Sequence, residues 1–330
     1  MPEPVVVTVM RQFKADLLAR EAGQMREMAR RWLTVEATLE GQLQALAADL
    51  AAEKAAGRSV SQAKLWRMRR YQALLAQLKR ELAGYQDYAE RTIGAEQLAF
   101  AEMGAQHAAA AIAASSPSVA ASFERLPIGA VQTMVGMAQA EAPLAKLLAA
   151  SYPDSVEGLT NALIRGTALG WHPTKTAAAM RQGTAMGLNR SLVIARDQQL
   201  RAYRYASDAQ YEASGVVQAK KRLAAHDGRT CLACLARDGE IVPLDRPAFD
   251  HVQGRCAFVP VVVGVAAPTW ESGEAYFETL SAAEQRAAMG DRRYEAYRAG
   301  KFDFADLART THDDTWGEGL RVATAGELAA

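Results

Sequence analysis

The chain has 330 residues, half of them hydrophobic, and its 38 basic residues balance 37 acidic ones for a net charge of +1. This balance argues against a protein that coats nucleic acid, which needs a strongly basic surface, and the length suffices for one large domain or two ordinary ones. The start lacks the pattern of a signal peptide, and no stretch approaches the roughly 20 apolar residues that span a bilayer. We therefore expect a soluble protein made in a cytoplasm, without membrane contact.

Residues 1–115 predict long amphipathic helices, because apolar residues recur there at spacings of three and four. The first stripe consists of Val35, Leu39, Leu43, Leu46 and Leu50. The second stripe, which has the spacing of a coiled-coil seam, consists of Met68, Tyr71, Leu75, Leu78, Leu82 and Tyr85. A break near Gly57 separates the two stripes, which favours a helical hairpin or coiled coil. Such helices either pack within the chain or meet a partner, so oligomerisation through them stays open.

Residues 116–225 predict a further helical region. It starts with a linker around Pro117 and continues with helices at 131–150, 156–169, 174–182 and 189–213. Lone His107 and His172 have no ligand partners at useful spacing, which is typical of surface or satisfied histidines. Short β-prone runs follow at 240–243 and 257–265, and residues 266–330 read as short helices interrupted by glycines. The predicted fold class is mainly α, with a small β-containing Cys/His knuckle at 226–265.

All three cysteines of the chain lie in the knuckle, at Cys231, Cys234 and Cys256, together with His251. The Cys-x-x-Cys spacing lets two thiolates bind one metal ion from a tight turn, and Asp238-Gly239 predicts a turn that returns the chain to the second pair. Three sulfurs and one imidazole form a complete tetrahedral set for zinc. Because four protein ligands leave no open position, we expect a structural site that stabilises a region with few large apolar residues.

Two other interpretations of the thiols remain. The first is a fold that has kept its shape but lost metal binding. If metal is bound, His226 is a possible replacement ligand. The second is a redox pair, but redox Cys-x-x-Cys motifs open a helix after a strand. Here the preceding sequence, His226-Asp227-Gly228-Arg229, reads as a charged turn after a helix, which favours zinc.

The knuckle resembles the head morphogenesis, or minor head protein, family of tailed bacteriophages, which includes the F protein of phage Mu. The family signature has three parts. The first part is matched by Asp227, Arg229, Thr230, Cys231 and Cys234, the middle by Asp238-Gly239 and Pro243-Leu244-Asp245, and the last by His251, Arg255, Cys256 and Val259-Pro260. The resemblance covers roughly residues 160 to 325. The chain departs from the family at Gly254, where the first cysteine of Cys-Arg-Cys usually stands, and at Arg196-Asp197-Gln198, which keeps only the arginine of Arg-Thr-Glu.

The resemblance implies a structural, non-enzymatic role in head morphogenesis. Such a protein is part of the virion, in the head interior or at the portal vertex, and occupies the bacterial host cytoplasm during assembly. Its partners are the portal protein and other head proteins, and it assists DNA packaging or ejection with weak, non-specific contact with packaged DNA.

Two alternatives are an enzyme, of the nuclease or nucleotidyl or ADP-ribosyl transferase toxin type, and a zinc-stabilised DNA-binding module. For the enzyme, His312-Asp313-Asp314 is the one further constellation, and a solvated loop explains it more simply. For the DNA-binding module, a basic patch is predicted from residues that precede or lie within the knuckle: Lys220, Lys221, Arg222, Arg229, Arg237, Arg246 and Arg255.

Overall fold

The computed structural model describes residues 3–58, 62–116, 144–150, 152–169, 171–246, 250–313 and 316–328. The predicted linker around Pro117 and residues 131–143 of a predicted helix lie outside these ranges. Within them, every helix is too short or too polar to cross a bilayer.

The fold is mainly helical, as the sequence predicts, with a small sheet near the three cysteines. The helices are α1 (Val5–Ala55), α2 (Gln62–Arg67), α3 (Arg69–Ser115), α4 (Leu144–Ala149), α5 (Tyr152–Leu169), α6 (Pro173–Ala213), α7 (Leu232–Ala236), α8 (Gly273–Thr279), α9 (Ala282–Met289) and α10 (Asp291–Arg298). The strands are β1 (Val217–Leu223), β2 (Ile241–Pro243), β3 (Ala257–Val262), β4 (Ala308–Asp313) and β5 (Gly317–Val322).

The described residues divide into two compact units. The helical unit comprises those within Arg20–Ala95 and Pro143–Arg196. The knuckle unit comprises those within Met1–Ala19, Glu96–Ala142 and Asp197–Ala330.

In the helical unit, α1 and α3 form the predicted helical hairpin. Every member of the two apolar stripes except Met68 is buried. The Tyr85 hydroxyl donates to the carbonyl of Met28 at 3.3 Å, and Arg70 forms an ion pair with Asp49 at 2.9 Å. Contacts that advance along α1 while they retreat along α3 identify an antiparallel pair, so burial of the two stripes explains why these segments are helical.

Helices α5 and α6 approach each other closely through glycine. A Cβ atom added at Gly183 would lie 2.4 Å from the backbone carbonyl of Gly158, and the Gly187 amide donates to the Ser155 hydroxyl at 3.0 Å. The sequence predicts two helices here, at 174–182 and 189–213, but α6 is continuous. Glycine does not interrupt α6 because the tight contact with α5 requires a residue without a side chain.

In the knuckle unit, β1 is the centre of a three-stranded antiparallel sheet with the order β2-β1-β3. Lys221 of β1 pairs with Ile241 on one side and with Val259 on the other. Strand β3 is buried along its whole length, and the Tyr211 hydroxyl of α6 donates to the carbonyl of Phe258 at 2.9 Å. This sheet and the end of α6 form the base on which the cysteine loops are built.

The chain after β3 forms the short helices α8, α9 and α10, followed by a hairpin of β4 and β5 that the sequence analysis does not predict. Ser281 begins α9 with a capping box, since its hydroxyl accepts from the Glu284 amide and the Glu284 carboxylate accepts from the Ser281 amide. The side chains of Phe277, Met289 and Leu307 are fully buried together with Cys234. These large apolar residues follow the knuckle in the sequence, so the core that buries Cys234 is supplied largely by the chain after residue 265.

Candidate metal centre

A short turn places the first two cysteines. The Asp227 carboxylate accepts from the Arg229 amide and from the Thr230 hydroxyl, each at 2.9 Å. Cys231 follows as the N-cap of α7, and its sulfur accepts from the Cys234 amide at 3.4 Å. The residues of the first part of the signature thus form one turn, which directs both thiols to the same end of α7.

The surroundings of this Cys-x-x-Cys pair differ from the expectation. The pair opens α7 and follows strand β1, whereas the sequence suggests a preceding helix. The sequence does not predict strand β1, because its charged residues mask the apolar pattern by which a strand is recognised. The strand-then-helix context therefore does not exclude redox chemistry, and the choice between redox and metal binding depends on what else surrounds the two sulfurs.

A second turn brings His251 and Cys256 toward the pair. The Gly254 amide donates to the His251 carbonyl at 2.7 Å, and Gln253 has a left-handed φ of 64°. The His251 Nδ1 atom lies 2.8 Å from the Val252 carbonyl. A proton on Nδ1 satisfies that carbonyl and leaves Nε2 as the ring atom for a metal ion or a thiol.

The donor atoms form two groups that share one sulfur. Cys231, Cys234 and His251 have donor atoms within 4.8 Å of one another, and so do Cys234, Asp250 and Cys256. The four residues predicted as ligands do not form one such group, because Cys256 approaches Cys234 together with Asp250. Cys234 is the common member, so the cluster of five side chains could hold a metal ion around its sulfur.

The five side chains also set one another's protonation. The Cys234 thiol donates to the Cys231 sulfur and lowers the pKa of Cys231 to about 4, whereas the pKa of Cys234 is raised. The Cys231 sulfur in turn accepts from the His251 ring, which raises the pKa of His251 to about 9. Hydrogen bonding to Cys234 lowers the pKa of Cys256. The outer thiols are thus disposed to be thiolates, the form that binds metal ions.

Buried cations surround the cluster. Burial alone would raise the pKa of Asp250, but Arg204 at 2.8 Å and Arg222 at 3.9 Å hold that pKa below its ordinary value. The Nζ atom of Lys14 is buried without a hydrogen-bond partner among the described residues, and it is attracted to Cys256 and Asp250. Because buried positive charges need compensating negative ones, this surrounding favours an anionic cluster, as three thiolates with a carboxylate would supply.

Asp250 is the candidate ligand that the sequence does not predict. Its side chain is 1% exposed, and its carboxylate belongs to the second donor group. The only sequence signal was Gly254, whose missing side chain leaves space beside the cluster. Which residue fills that space cannot be read from the sequence.

His226, considered as a replacement ligand, lies elsewhere. Its Nε2 atom is 2.7 Å from the fully buried Asp238 carboxylate, and its ring stacks on Tyr276 with centroids 4.8 Å apart. Trp270 also donates to Asp238, at 3.1 Å. His226 belongs to neither donor group, because the pairing with Asp238 fixes its ring away from the thiols.

The predicted basic patch is only partly at the surface. Lys220 is fully buried and pairs with Asp208, and Arg222 is 3% exposed. The Nζ atom of Lys221 donates to the Pro268 carbonyl at 2.9 Å and lies over the Trp270 ring. Lys220 and Arg222 therefore serve the interior of the knuckle unit, whereas Lys221 is partly exposed beside Trp270.

The remaining histidines form no further site among the described residues. His312 and Asp313 are exposed on β4, where successive side chains point to opposite faces, and Asp314 lies outside the described ranges. His107 is a satisfied histidine, as expected, because it stacks on Phe13 and its Nδ1 atom lies 3.1 Å from the Tyr203 hydroxyl.

No protein-family model matches this chain, and searches among curated proteins and solved structures found no similar protein. The resemblance to phage head proteins therefore rests on the sequence of this chain alone.

Proposed function

We propose that this chain is a minor head protein of a tailed phage or prophage, with a structural and non-enzymatic role in head morphogenesis. The observation that carries the proposal is the signature between Asp227 and Pro260, in which cysteines, histidine, turn residues and a valine-proline strand occur in the family's order. These residues share a physical role in the knuckle, because they build the two turns and the strand around one donor cluster.

Zinc is the metal ion that this donor set suits best, with Cys231, Cys234, His251 and Cys256 as its ligands. Thiolates and imidazole favour zinc over magnesium or calcium, which prefer oxygen donors. A zinc ion with four protein ligands has no open position for substrate or water, so it would stabilise the fold instead of catalysing hydrolysis. Its role would be to join the turn before α7 to the turn before β3.

Thiol-disulfide chemistry is favoured less, although Cys231 opens a helix and has a lowered pKa. A redox pair needs two thiols, whereas here Cys256 and the His251 ring also approach Cys234 or Cys231. A DNA-binding module is also favoured less, because Lys220 and Arg222 are buried. Weak contact of the exposed Arg229 with packaged DNA is compatible with a head protein.

The functional test is association with the portal. The gene that encodes this chain should lie beside genes for a portal protein and a major capsid protein. Tagged chain, co-expressed with that portal, should be retained with it and should be found in assembled proheads by mass spectrometry. The portal of an unrelated phage is the control. Absence of the chain from proheads that assemble normally would contradict the proposal, and so would DNA cleavage or nucleotide transfer that the His251→Ala substitution abolishes.

A further inference from the structure

We propose that Asp250 takes the place of the thiol that is missing at position 254, and that its carboxylate is a ligand of the metal ion. This inference rests on the metal binding proposed above. It changes the expected ligand set, because Asp250 supplies an oxygen donor in place of one of the four ligands predicted from the signature, so the ion keeps four protein ligands.

The first argument is space. A Cβ atom added at Gly254 would lie 2.1 Å from the carboxyl carbon of Asp250 and 2.2 and 2.3 Å from its two oxygens. The backbone at Gly254 is not in the left-handed region, so backbone conformation does not require glycine there. Glycine is required because the carboxylate of Asp250 occupies the volume in which a side chain at position 254 would begin.

The second argument is orientation. One carboxylate oxygen of Asp250, Oδ2, accepts from Arg204 at 2.8 Å and from the Cys256 amide at 3.4 Å. The other oxygen, Oδ1, accepts from the His251 amide at 2.9 Å and lies 3.5 Å from the Cys234 sulfur. Partners of this kind fix a ligating carboxylate, so Oδ2 is held by the protein while Oδ1 is directed to the cluster.

The third argument is distance. In a tetrahedral zinc site, with a Zn–O bond of about 2.0 Å and a Zn–S bond of about 2.3 Å, the oxygen and sulfur ligands lie about 3.5 Å apart. The Oδ1 atom of Asp250 and the sulfur of Cys234 have this separation. A metal ion could therefore be bound by both atoms at their present separation.

The fourth argument is charge. A carboxylate carries the same negative charge as the thiolate that the family usually has at position 254. Arg204 and Arg222 lie against Asp250, and Lys14 is attracted to it, so the buried cations retain their counter-charge in this chain. We call this arrangement the exchange: Asp250 supplies the negatively charged donor that glycine at position 254 cannot supply.

Cobalt(II) and zinc titrations of the full chain test the ligand role. Loss of an outer-shell partner weakens metal binding about 10- to 100-fold, so we expect Asp250→Asn to weaken it by more than about 100-fold and to shift the cobalt absorption bands. Asp208→Asn is the control, because it also removes a carboxylate paired with a buried cation but lies outside the donor groups, and its affinity should equal that of the wild type. A smaller loss in Asp250→Asn with unchanged bands overturns the ligand role.

The exchange itself provides a second test that does not depend on whether Asp250→Asn folds. The double variant Asp250→Ala/Gly254→Cys should bind cobalt more tightly than Asp250→Ala, with a stronger thiolate-to-cobalt charge-transfer band. Gly254→Ala should lower the melting temperature of chelator-treated protein, but not when Asp250 is also alanine. A double variant no better than Asp250→Ala overturns the exchange. Wild-type protein that binds neither cobalt nor zinc refutes the metal site itself. That result is distinct from metal binding that the Asp250 substitutions leave unchanged, which refutes only the ligand role of Asp250.

Discussion

The contact between α5 and α6 yields a prediction whose size follows from the geometry. In Gly183→Ala, the new methyl group would lie 2.4 Å from the backbone of Gly158, about 1 Å short of the ordinary 3.4 Å contact. Overpacking of this kind costs about 1–3 kcal/mol, and the upper part of that range applies because a backbone carbonyl cannot rotate away. Alanine recovers about 1 kcal/mol through its higher helix propensity. We therefore expect a net loss of about 1–2 kcal/mol in the free energy of unfolding.

Gly94→Ala is the matched control, because Gly94 lies within α3 and an added Cβ atom there meets nothing within 4 Å. It should gain up to about 1 kcal/mol, so the two variants should differ by about 2–3 kcal/mol. Urea unfolding followed by far-ultraviolet circular dichroism measures both. If Gly183→Ala is as stable as Gly94→Ala, the two helices do not meet through their glycine backbones.

Three further predictions concern the knuckle unit. Asp238→Asn should lower the free energy of unfolding by about 1–3 kcal/mol, since buried donors lose a charged acceptor. The metal content should not change, because His226, which Asp238 holds, is not a ligand. A changed metal content would contradict that position of His226. In metal-free protein, the alkylation rate of Cys231 should barely change between about pH 6 and pH 8, whereas an ordinary thiol gains about tenfold per pH unit; quantitative mass spectrometry would detect a steep rise that refutes the lowered pKa. Lys220→Met should lower the free energy of unfolding in urea by about 3 kcal/mol, because it leaves Asp208 without its ion-pair partner. It should not reduce retention of the protein on immobilised DNA. Reduced retention would contradict the conclusion that Lys220 is not part of a phosphate-binding surface.

The long helices could be predicted because their signal is local. The spacing of Leu39, Leu43 and Leu46 is enough to define a stripe, and burial of that stripe selects the helix. The approach of Cys231 to Cys234 was predictable for a similar reason, since the spacing of these two cysteines itself carries the chemistry. In both cases the determining residues lie within a few positions of one another.

The features that were missed depend on contacts between distant residues. Strand β1 contains Lys220 and Arg222, which read as surface charges until Asp208 and Asp250 are placed beside them. The role proposed for Asp250 depends on a glycine four positions away and on Arg204 from helix α6. Contacts between distant residues leave no periodic pattern in a sequence. The sequence therefore shows that position 254 lacks a thiol, but it does not show which side chain occupies the space.

The most direct test of the central claim is the metal content of the full chain, purified without added metal and measured by elemental analysis. We predict one zinc ion per chain in the wild type and none in Cys234→Ser, because Cys234 belongs to both donor groups. Wild-type protein that contains no zinc and gains none on incubation with zinc would contradict the claim that these side chains form a metal centre.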